Sequence, residues 1–213
     1  MPFLTPTFLT TFVLSFLAYV ISITISGSLQ AHIVQQVGDT TAIRRGYGEF
    51  NPTYFIEPLA LFIFIAMIDF LGVGFMPRRA IPIHTAAIQG KGRILKRAMA
   101  FFSPTLIHLI IGAISLIGIH LLFASSLSVL ILFLQICARV NVLLALFSTV
   151  QQGVQWYIAA RLEQDNKFAR YAPILLTFLP LVILFFCGGY LYSIFAWSIQ
   201  ILACSLLSIC GKL

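Results

Sequence analysis

Five polar residues share one face of the first apolar stretch: Ser15, Tyr19, Ser22, Ser26 and Gln30, spaced four, three, four and four. On a helix that spacing stacks the side chains in one row. Two chemistries suit such a row. Small hydroxyl and amide groups let helices approach and hydrogen-bond, or the row lines a cavity. Farther along, Asp69 and Arg139 interrupt apolar stretches. A charge near a bilayer centre costs at least ~2.5 kcal/mol, so such residues face a bundle interior and pair. Asp69 and Arg139 are expected to form that buried pair, as a lock on helix register or as part of an ion path.

Metal chemistry finds little support in the spacing. The histidines are His32, His84, His108 and His120, and no HxxxH or HxxE links them. His108 and His120 would lie about 18 Å and 120° apart on one helix, too far to share an ion. The cysteines, Cys137, Cys187, Cys204 and Cys210, form no CxxC and read as small packing residues. GxxxxGK[ST], GxGxxG and GxSxG are absent. The residues by themselves assemble no catalytic constellation.

The elements that position them are membrane helices. Of 213 residues, 60% are hydrophobic and 9% charged, and the mean hydropathy is +1.02. That composition makes the bilayer the solvent and leaves too little polar sequence for a separate soluble domain, so residues 1–213 form one membrane domain. The net charge of +7 comes from basic loops without interleaved aromatics. It fits membrane lipid as a partner and excludes nucleic acid.

Spans are expected at 8–25, continuing as helix to Val37 with Gly38 as its stop, then at 58–75, 98–124 and 127–150. Pro104 is placed to kink the third. The apolar stretch 172–209 supplies a fifth span, and residues 190–210 either a sixth or an interfacial helix. The fold class is therefore all-α and polytopic. It has five to six transmembrane helices, with a short hairpin or re-entrant segment at 39–57. The N-terminus has neither the basic start nor the cleavage site of a signal peptide and reads as a retained first span. Segment 76–97 carries six basic residues, 151–171 three and 39–57 two, which puts the N-terminus in the cytoplasm.

The order of motifs resembles that of site-2 proteases, the intramembrane zinc metalloproteases. "GDTTAIRRGYGEFNPTYFIEPLA", residues 38–60, is similar to the family's G-D-P-T-A-x-x-x-G-x-x-x-x-N-P-x-x-H-x-D-P-x-G. Gly38, Asp39, Thr41, Ala42, Gly46, Asn51, Pro52 and Pro58 match in register; Glu57 stands for the acid and Phe55 for the histidine. "AIPIH" resembles P-V-P-V-N, "FFSPTL" the A-G-P segment, and "NVLLALF" the run N-L-L-L-A-L-F. The tail "ARYAPILLTFLPLVILFFCGG" resembles short bacterial members, which implies a bacterial inner membrane.

The resemblance also implies where zinc chemistry would sit. Active members carry H-E-x-x-H twelve to eight residues before the Gly of G-D, and here those positions are Ser26, Gly27 and Gln30. The third ligand, an Asp after N-L-L-L-A-L-F, falls on Trp156. Hydroxyl and amide groups are poor zinc ligands, and glycine is no base. The expected protein is thus a pseudoprotease without zinc, its cleft lined by Ser26, Gln30, Asn141 and Trp156. That cleft would hold a partner's transmembrane helix or form a subunit interface in a complex or homo-oligomer. The rival expectations are an active metalloprotease with atypical ligands and a transport or ion-path protein using Asp69 and Arg139.

Overall fold

The computed structural model describes residues 6–58, 61–122 and 127–162, and from the C-terminal stretch residues 182, 190, 193, 194, 196–201 and 204. Five α-helices follow in order: α1 (Pro6–Gln36), α2 (Thr41–Arg44), α3 (Leu61–Leu71), α4 (Arg93–Leu122) and α5 (Ser128–Leu162). Single 3₁₀ turns sit at Pro52–Tyr54 and Thr85–Ala87. No strand occurs among the described residues, only an isolated bridge between Ile56 and Arg78.

Among the described residues three helices, α1, α4 and α5, are long and apolar enough to cross a membrane. Their polarity is inside out. In α1 the hydroxyls of Ser15, Ser22, Ser26 and Ser28 are buried, while Leu9, Val13, Leu17 and Ile21 face outward. Water would invert that pattern, and hydrocarbon favours it. These helices match the expected first, third and fourth spans. The expected second span is not among the helices long enough to cross, counted over the described residues. Residues 58–75 hold α3, whose eleven residues reach about 16 Å, half of a ~30 Å hydrocarbon core. The expected fifth span lies outside the described residues, as does most of the last segment.

Gly38 ends α1 as its position suggests. Its φ is +114°, a conformation that disfavours a Cβ. Asp39 N–H donates to the Val34 carbonyl and Gly38 N–H to that of Gln35, each at 3.0 Å, the paired bonds that close a helix C-terminus around a glycine. The chain returns through α2 and the Asn51-Pro52 turn, where the Asn51 carboxamide accepts from Thr53 N–H. Phe64 of α3 then packs edge-on against Phe12, Phe16 and Tyr19 of α1 at 5.7–5.9 Å.

After α3 the chain runs extended through the bundle rather than outside it. Phe75, Met76, Arg78 and Ile81 are buried, and Phe75 meets Phe147 of α5 at 5.6 Å. An extended backbone inside a helical core needs partners for its carbonyls. Gln151 and Gln155, one turn apart on α5, donate to the carbonyls of Arg78 (3.2 Å) and Ile81 (3.0 Å). On the other side, Arg79 N–H donates to the Phe55 carbonyl at 2.9 Å.

Candidate functional site

The polar row of α1 faces the bundle interior. Ser26, Gln30 and Asn141 are fully buried, and Trp156 is half-buried. Their partners form two nodes. At the first, Asn141 of α5 donates to Ser22 of α1 at 2.8 Å and to the Cys137 carbonyl at 2.9 Å. Its carbonyl oxygen receives His108 Nδ1 of α4 at 2.9 Å. One amide thereby joins three candidate spans.

The second node is built on Gln30. Proline has no N–H, so Pro104 leaves the carbonyl of Ala100, four residues earlier in α4, without its helical donor. Gln30 Nε2 donates to that carbonyl at 2.9 Å. Gln30 Oε1 in turn accepts from Arg78 Nη2 at 2.8 Å. Trp156 reaches the same turn of α4, with its ring against Phe101 and Phe102 at 5.7 and 5.8 Å.

Arg78 is the group that motif reading passed over. It is 2% exposed, and its Nε and Nη1 have no hydrogen-bond partner. The only described ion pair joins its neighbour Arg79 to Glu57, at the surface. Burial pushes the Arg78 guanidinium down to about 10, still cationic at neutral pH. The polar groups nearby on α5 are also incompletely paired: Ser148 Oγ, Gln151 Oε1 and the Gln152 amide have no partner. A signal existed in the sequence. Gln151, Gln152 and Gln155 form an amide cluster on an apolar helix, and such a cluster needs polar backbone or charge opposite it.

Ser26 and Gly27 are enclosed as well. Ser26 Oγ turns back to the Ile23 carbonyl at 3.3 Å. The Phe55 ring lies against Gly27 so closely that a Cβ there would collide with it. Asp39 is structural: its carboxylate accepts from Thr41 N–H at 2.8 Å and from His84 N–H at 2.6 Å, tying the GDTTA turn to the AIPIH segment.

These residues do not fit a zinc ion. Ser26 offers a hydroxyl, Gly27 no side chain and Gln30 an amide already bonded at both ends, and the cation at that amide is a guanidinium. Among the described residues no three His, Cys, Asp or Glu side chains converge.

Arg139 is exposed on α5 and lines an outer cavity with Gln135 and Gln200. It joins no ion pair among the described residues, and the Asp69 side chain lies outside them. Cys137 is free and buried, as a packing residue should be. Cys204 departs from that expectation: it is disulfide-bonded, to a partner outside the described residues.

The chain matches no family model, no curated protein and no solved structure.

Proposed function

We propose that this chain is a site-2-protease-like membrane protein without proteolytic activity, which acts by binding a membrane partner or as a subunit of a complex. Its place would be a bacterial inner membrane with the N-terminus in the cytoplasm. The observation that carries the reading is the Arg78–Gln30 bond. Gln30 aligns with the second metal-binding histidine of the resembling family, and a fixed internal cation sits against its oxygen. With Phe55 packed on Gly27, the positions of base and ligand are filled by side chains of the chain itself. The fold's interior then serves to hold α1, α4 and α5 together, and function moves to the outer surface.

Metal analysis of purified protein, combined with cleavage of a single-span reporter, tests this. The expected result is less than a tenth of an equivalent of zinc and no chelator-sensitive cleavage, on the order expected when no ligand set exists. Stoichiometric zinc whose removal abolishes cleavage would overturn it.

A further inference from the structure

Arg139 lies on the outward face of α5, eleven residues after Ser128, which places it about 16 Å along the helix. That is half the thickness of a ~30 Å hydrocarbon core. It opens onto a cavity of about 290 Å³ between α4, α5 and residues 196–200. Gln135, one turn before it, and Gln200 across the cavity are also exposed there. The remaining wall is aliphatic, including Leu116, Ile119 and Ile199. Arg139 has neither an ion pair nor a hydrogen bond among the described residues, and no acidic residue lines the cavity.

A guanidinium held at this depth by an otherwise apolar surface calls for an anion that is itself at mid-membrane. Lipid phosphates lie at the bilayer surface, so they meet Arg139 only by leaving it. A carboxylate on a transmembrane helix is already at the right level. Its two oxygens match the planar fork of arginine, the two glutamine amides add donors, and the aliphatic wall suits the helix flank. We propose that this cavity is a docking site for a partner's transmembrane helix that carries one Asp or Glu near its midpoint. The inference rests on the reading that the chain works by binding membrane proteins, and it names the chemistry of the partner.

The test uses the full chain reconstituted in phosphatidylcholine vesicles with labelled leucine-rich single-span peptides, differing only in a central Asp, Asn or Leu. Energy transfer reports association. The Asp peptide is expected to bind about tenfold more tightly than the Leu peptide, with Asn between. Arg139→Leu should erase the difference, and Gln135→Leu with Gln200→Leu should reduce it severalfold. All three residues are exposed, so folding is preserved, which circular dichroism of each variant checks. Equal binding of the Asp and Leu peptides, or a preference that survives Arg139→Leu, would overturn the docking site. So would loss of the preference when phosphatidylglycerol is added, since Arg139 would then be a lipid phosphate site. Zinc-dependent cleavage would sink the earlier reading without touching the peptide preference, so the two failures are separable.

Discussion

Replacing Gln30 by Leu removes two bonds at once, and the structure sets the size of the loss. The bond to a charged donor, Arg78 Nη2, contributes roughly 1.5–3 kcal/mol. The Ala100 carbonyl, which Pro104 cannot serve, becomes a buried orphan at about 1–3 kcal/mol. The single variant should therefore lose about 2.5–6 kcal/mol, summed from these. Replacing Arg78 by Met works in the opposite sense. Burial lowers the pKa of its guanidinium to about 10, a penalty on the order of 3 kcal/mol, which Met removes. The cost is an unpaired Gln30 oxygen, again about 1–3 kcal/mol, so Arg78→Met should be neutral to slightly stabilising. In the double variant only the Ala100 carbonyl is orphaned, while the burial penalty is gone. It should return to within about 2 kcal/mol of the wild type, where additivity would leave it roughly 3 kcal/mol below. Reversible unfolding in mixed micelles measures all four corners. If the double variant simply sums the two single effects, or Arg78→Met alone costs more than about 3 kcal/mol, the account of a penalised, singly bonded guanidinium is wrong.

Three further outcomes follow from the same geometry. A base whose folded pKa lies below its unfolded one destabilises while charged, and the penalty fades as pH rises through the folded value. The wild type should therefore gain stability relative to Arg78→Met between pH 9 and 11, around the shifted value of about 10, in parallel unfolding titrations. Pro104→Ala restores a donor for the Ala100 carbonyl, so in that background Gln30→Leu should cost about 1–2 kcal/mol less. Gly38→Ala forces a side chain into a backbone with φ of +114° and should lower stability by about 1–2 kcal/mol, read as a fall in Tm.

What the sequence made legible depends on range. Gly38 and Asn51 act within a few residues of themselves, as a helix stop and a turn bond, and each sits where short-range rules put it; Asp39 makes one such turn bond, to Thr41 N–H, but its second, to His84 N–H, spans 45 residues. The row from Ser15 to Gln30 is helical and faces inward, as its spacing implies. The segment after α3 was harder. Hydropathy treats residues 58–75 as one apolar run and cannot separate a span from a short helix followed by a buried extended segment. Arg78 was hardest of all. Beside Arg79 in a basic segment it reads as a solvated charge, and only contacts to Gln30, 48 residues earlier, and Gln151, 73 residues later, bring it inside.

Arg78 cannot be enclosed until α5 exists. The amides that close over its carbonyl and that of Ile81 are made 73 and 74 residues later. A chain made only as far as α3 therefore carries this cationic segment without the amides that pair with it, and water accommodates such a charge better than hydrocarbon does. α5 supplies the amides that pair with its carbonyls. A product truncated before Gln151 would keep an exposed, charged and unpaired backbone, the kind of surface that membrane quality-control proteases remove.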